Sequence, residues 1–243
     1  MAILPPRRLL RDRVEVRTVA EAERVQQELR RHLDLTDGPA TEPTLVAGVD
    51  VSYDKTSTRV TAAAVLVDLT TGVELETVVV PGEVTFPYVP GLLAFREVPI
   101  LLTTLGRLSR RPDTVVCDGY GIAHPRRFGL ACHLGVVTGL PTFGVAKTPF
   151  VGTYAEPGPR RGDRSALRDG DEVLGHALRT QTDVKPVFVS VGHRTGLDRV
   201  TALTLTLSPR YRLPDVIRRA DFLSREALRR GEDPRRPGCR TPQ

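Results

Sequence analysis

The stretch LVAGVDVSYDKTSTRVTAAAVLVDLTTGVELETVVV, residues 45–80, holds three β-like segments in succession, Leu45–Asp50, Val60–Leu69 and Val73–Val80. β-Branched residues fill them, and the short link Thr70-Thr71-Gly72 separates the last two, so the pattern predicts an antiparallel meander. The first two segments are apolar enough to be covered on both faces of a sheet.

On the C-terminal side the pattern changes. Leu92, Phe95, Val98, Leu101, Leu102, Leu105 and Leu108 recur at helical spacing and predict a helix over 91–109, with Pro99 kinking it or lying in its first turns. Residues 113–118 read as a short apolar strand, 126–138 as a helix and 142–145 as a strand, an alternation that implies parallel strands joined by helices. The Gly-, Pro-, Arg- and Asp-rich run 155–168 reads as a surface loop, 172–178 with 186–191 as a hairpin, and 197–207 and 214–228 as the last helices. On the N-terminal side, Val19, Ala22, Val25, Leu29 and Leu33 mark an amphipathic helix over 19–32, ended by Thr36-Asp37-Gly38-Pro39. The expected class is α/β, and the order matches a ribonuclease H-like mixed β-sheet with helices on both faces. One domain over 18–230 is expected, after an irregular segment 1–17 and before a basic, disordered tail 231–243.

A chain of 243 residues, 40% hydrophobic, can bury a substantial core as a single unit. Lys and Arg number 35 against 29 Asp and Glu, and the excess is arginine, whose planar fork suits phosphate oxygens, so a polyanionic partner is expected. Cys117, Cys132 and Cys239 lack metal-site spacing and suggest reduced thiols. No apolar run approaches the roughly 20 residues of a membrane helix, so a soluble, cytoplasmic protein is the expectation, and a monomer is assumed because oligomeric state is not legible in the sequence.

Two carboxylates follow apolar strand patterns: Asp50, and Asp118 in Val115-Val116-Cys117-Asp118-Gly119-Tyr120-Gly121-Ile122-Ala123-His124-Pro125. If their strands are neighbours, the acids meet at one edge of the sheet. Two buried carboxylates repel and keep their charge only where a cation shares them. Oxygen ligands suit Mg²⁺, with Mn²⁺ as substitute, and Glu97 on the intervening helix completes the shell.

Val46-Ala47-Gly48-Val49-Asp50-Val51-Ser52-Tyr53, Pro87-Tyr88-Val89-Pro90-Gly91-Leu92-Leu93-Ala94-Phe95-Arg96-Glu97, Asp118-Gly119-Tyr120-Gly121-Ile122-Ala123-His124-Pro125-Arg126 and Ser190-Val191-Gly192-His193-Arg194 resemble, in order, the motifs of the endonuclease V family. The resemblance implies a metal-dependent DNA repair endonuclease that recognises deaminated bases such as deoxyinosine. Such an enzyme cleaves the second phosphodiester bond 3′ to the lesion and leaves 3′-hydroxyl and 5′-phosphate ends. Carried over by position, it implies Asp50, Glu97, Asp118 and Asp221 as metal ligands, and His124 and Lys147 as catalytic groups at the phosphate. It makes Pro87, Tyr88, Val89 and Pro90 the strand-separating wedge. Gly91, Leu93, Gly119, Gly121, Gly144 and Ala146 become the base pocket, where glycines admit a flat ring close to the backbone. Tyr120 departs from the family, which more usually has His, Gln or Asn there. His193 reads as structural.

Two other readings stay open from sequence. One is an inosine-directed ribonuclease of the same fold, acting on inosine-containing RNA. The other is a non-catalytic nucleic-acid-binding module, which three unneutralised carboxylates disfavour.

Overall fold

The computed structural model describes residues 16–38 and 42–231. Most of the expected irregular segment 1–17, all of the expected tail beyond Gly231, and Cys239 lie outside them. Thr18 opens α1 (Val19–Arg30) with a reciprocal cap: its hydroxyl accepts from the Glu21 amide while the Glu21 carboxylate accepts from the Thr18 amide. The meander follows as β1 (Leu45–Tyr53), β2 (Arg59–Asp68) and β3 (Val73–Glu83). Next come α2 (Ala94–Gly106), β4 (Thr114–Asp118), α3 (Leu130–Thr138) and β5 (Thr142–Ala146). The chain closes with β6 (Arg164–Asp169), β7 (Glu172–Leu178), β8 (Val187–His193), α4 (Leu197–Leu207) and α5 (Asp215–Arg230).

All eight strands form one sheet in the order β3-β2-β1-β4-β5-β8-β7-β6. β1, β4 and β5 run parallel and every other pairing is antiparallel. Side chains of a strand alternate between faces, and β1 divides accordingly. Ala47, Val49 and Val51 pack with Val98 and Leu101 of α2 and Leu134 of α3, whereas Val46 packs with Val216 and Ile217 of α5. Gly48 lies on the α5 side, and a Cβ there would stand 2.6 Å from the Val216 Cβ. The missing side chain lets α5 lie directly on β1.

Three expectations change. Residues 155–168 are not all loop, because Arg164–Asp169 form the edge strand β6, of which only Leu167 is fully buried. An edge strand needs no apolar alternation, so it leaves little hydrophobic signal. The helix expected from Arg126 begins at Leu130, since Arg127 is left-handed (φ 53°) and is held there by Asp169 and Glu172 at 2.7 and 2.8 Å. The helix expected from Gly91 begins at Ala94, since Gly91 has φ 84°.

Candidate active site

The parallel register Val49↔Cys117 carries Asp50 and Asp118 side by side to the same end of the sheet, both on the α5 face. There α5 supplies Asp221 and Ser224. Ser224 Oγ donates to Asp50 Oδ2 at 3.0 Å and lies 2.7 Å from the buried Ser52 Oγ. Burial, aided by the charges of Asp118 and Asp221, pushes Asp50 up to about 6. Glu97 arrives from the opposite layer, on the buried face of α2, and accepts from the Tyr53 hydroxyl at 3.0 Å. Burial pushes Glu97 up to about 8, and the charges of Asp50 and Asp118 add to it against the opposing pull of the Tyr53 hydrogen bond.

The acids thus sense one another, yet each has a local partner. Lys147 donates to Asp118 Oδ2 at 2.8 Å, and Arg225 pairs with Asp221 at 2.8 Å. Among the described residues no three acidic, His or Cys side chains are drawn into a single metal-holding cluster. The four acids offer oxygen only, and the Lys147 ammonium stands against one of them as a cation would. That donor set fits a hard divalent ion.

Beside the acids lies a pocket of about 170 Å³. Its walls are Tyr88, Val89, Pro90, Gly91 and Leu93 from the loop before α2, Tyr120 and His124 after β4, and Phe150 after β5. The Gly91 carbonyl fixes the loop by accepting from Gln26 Nε2 (3.0 Å), His124 Nε2 (3.1 Å) and Arg126 Nη2 (3.1 Å). Arg126 Nε also donates to Gln26 Oε1. Tyr88 projects into solvent, 69% exposed, at the rim.

Two of the expected pocket residues, Gly91 and Leu93, line this cavity; Gly119, Gly121, Gly144 and Ala146 do not. A Cβ on Gly121 would fall 1.9 Å from the Val191 carbonyl oxygen, and one on Gly144 2.4 Å from that of Gly119. Both glycines serve the chain's own backbone packing, nesting the turn after β4 against β8 and β5. His124 lines the pocket and not the cleft of the acids. Its Nδ1 accepts from the Arg126 amide at 3.1 Å, so the proton resides on Nε2, which donates to Gly91. Burial, with Arg126 nearby, lowers it to about 4, and a neutral ring braces the pocket loop. Lys147, by contrast, lies in the cleft with Asp118 and Asp221. His193 is structural as read, its Nδ1 accepting from the Asp34 amide at 3.2 Å.

Ser52, Tyr53 and Ser224 hold the acids, Gln26 and Phe150 build the pocket, and none of the five is among the site residues expected from sequence. Ser52 and Tyr53 directly follow Asp50, and Ser224 is one helical turn beyond Asp221, so spacing alone would have nominated them.

A family model described as Endonuclease V matches residues 27–222. Endonuclease V of Streptomyces avermitilis is 55% identical over 213 residues, covering 87% of this chain and 93% of that protein. The chain belongs to the endonuclease V family. It is accordingly an endonuclease, and the mixed sheet with helices on both faces is the family's ribonuclease H-like fold. The catalytic domain of human endonuclease V superposes with a TM-score of 0.82 at 35% identity, covering 88% of this chain and 96% of that one. Endonuclease V of Ciona intestinalis, in complex with a 24-mer DNA containing an inosine followed by a ribo-adenosine, superposes with a TM-score of 0.78 at 27% identity, covering 88% of this chain and 99% of that one.

Proposed function

We propose that this endonuclease V family member is a divalent-cation-dependent DNA repair nuclease that takes a deaminated base, deoxyinosine, into the pocket beside Gly91. In this reading it cuts the second phosphodiester bond 3′ to that base, leaving 3′-hydroxyl and 5′-phosphate ends. The observation that carries the reading is the adjacency of a braced, ring-walled pocket to the acid edge. Three residues, Asp118-Gly119-Tyr120, run from one to the other, so a base in the pocket brings its own flanking backbone to the acids. The inosine-containing DNA bound by the Ciona relative supports the same substrate class.

Tyr88, exposed between Pro87 and Pro90, fills the stack left by the extruded nucleotide. Tyr120 and Phe150, with ring centroids 5.2 Å apart, form one aromatic wall against the base. Asp50, Asp118, Asp221 and Glu97 would hold Mg²⁺ or Mn²⁺, which would supply Lewis-acid polarisation of the phosphate and activation of water. Lys147, which stands beside Asp118 in the same cleft, is placed to reach a phosphate oxygen.

The test offers matched oligonucleotides containing inosine or adenine, in DNA and in RNA, with Mg²⁺, Mn²⁺ or EDTA. Expected is cleavage of the inosine DNA at one site 3′ of the lesion, abolished by EDTA. Equal cutting of adenine strands removes the base reading, preference for RNA removes the DNA reading, and activity in EDTA removes the cation.

A further inference from the structure

α5 has two unlike faces. Val216, Ile217, Ala220 and Ser224 are buried against the sheet. Arg218, Phe222, Arg225 and Arg229 recur at helical spacing on the outside, and all four are exposed. This stripe carries three arginines and an aromatic ring, with Arg225 paired to Asp221 at 2.8 Å. The Arg218 guanidinium lies 3.4 Å over the ring of Tyr211, itself 48% exposed, and the Phe222 ring is 53% exposed. Arg229 makes no ion pair among the described residues. The stripe starts at the acids, since Arg218, Phe222, Arg225 and Arg229 line a cleft of about 360 Å³ together with Asp118, Lys147 and Asp221.

We infer that this face of α5 is a track for the nucleic-acid strand 3′ of the cut. Its arginines take backbone phosphates, and Phe222 and Tyr211 give stacking surfaces to unpaired bases. The path follows from placement, and its 3′ direction from the proposed position of the cut. The pocket lies on one side of the Asp118–Tyr120 turn and the α5 cleft on the other, so a strand anchored by its base in the pocket passes the acids and continues onto α5. From Arg218 to Arg229 the helix rises about 16 Å, room for several nucleotides. This inference rests on the proposed reading that the lesion base occupies the pocket and the cut falls 3′ of it.

The test measures binding of the full chain in EDTA, where no strand is cut, to two labelled single-stranded DNA probes. One extends about a dozen nucleotides 3′ of an inosine and its mirror extends as far 5′. Wild type is expected to bind the 3′-extended probe more tightly. The double variant Arg218→Gln/Arg229→Gln loses that preference, and its slope of log affinity against log salt falls by about 1.4, or about 0.7 for each phosphate contact. Lysine at both positions restores the slope. Phe222→Ala weakens binding to the same probe several-fold with the slope unchanged, since stacking releases no counterions. These sites are exposed, and an unchanged melting midpoint verifies folding. Equal wild-type affinity for the two probes, or equal losses on both in the glutamine variant, overturns the track. Cleavage with Mg²⁺ is scored separately. A chain that binds asymmetrically but leaves inosine DNA uncut counts against the parent reading, and one that cuts but binds both probes equally counts against the track alone.

Discussion

Replacing Glu97 with glutamine is expected to stabilise the protein in neutral and alkaline solution while removing one of its site acids. Glu97 is buried, and the folded chain holds its proton up to about 8 against an ordinary value of 4.5. Between those values the folded state binds more protons than the unfolded state, so stability falls as pH rises through the window. At about 1.4 kcal/mol per tenfold change in proton affinity, the cost is on the order of 3 kcal/mol at pH 7 and 5 kcal/mol above pH 8. Glutamine retains an oxygen that accepts from the Tyr53 hydroxyl and never carries the charge, so it escapes this cost. Thermal melts of both proteins in EDTA from pH 5 to pH 9 read the difference, and groups that titrate in both cancel. Near-coincident midpoints at pH 5 should diverge to roughly 10 °C or more in favour of Glu97→Gln at pH 8.5, given about 2–4 °C per kcal/mol for a chain of this size. Curves that stay parallel across the range refute the reasoning.

Gly121→Ala drives a methyl group toward the Val191 carbonyl, a contact between two backbones that costs about 1–3 kcal/mol or more, and a calorimetric midpoint lowered by several degrees is the expected result. Gln26→Ala removes buried donors from the Gly91 and Phe128 carbonyls, about 1–3 kcal/mol, and is expected to weaken inosine discrimination in competitive cleavage assays more than turnover. Tyr88→Ala should leave the melting midpoint unchanged, as an exposed side chain contributes about 0.5 kcal/mol or less, yet slow cleavage of duplex inosine DNA more than of single strands. Equal slowing on both substrates would remove its wedge role.

The meander and the alternating half of the sheet were legible because β-branched runs and helical leucine spacing are local properties that folding did not override. The adjacency of Asp50 and Asp118 was legible for the same reason, as both sit at the ends of apolar strands. β6 escaped because an edge strand can be polar on both faces. The glycines mark the limit of such reading: a sequence shows that Gly121 and Gly144 lack a side chain, not whether a ligand or the chain's own carbonyls fill the space. The surroundings of His124 are hidden from such reading in a similar way. Burial and the nearby Arg126 charge keep its ring neutral, and the Gly91 carbonyl that accepts its Nε2 proton is 33 residues distant.

The Ser224–Asp50 hydrogen bond joins residues 174 apart, and α5 follows every other described element in the chain. Domains are made and folded from the N-terminus during synthesis. The strands bearing Asp50 and Asp118 therefore leave the ribosome well before the helix that covers Gly48 and supplies Asp221. Until that helix docks, Asp50 lacks its serine partner and the cleft lacks a wall. A nuclease assembled in this order is expected to stay inert as a nascent chain, since products that end before α5 carry the strand acids without the helix that walls their cleft.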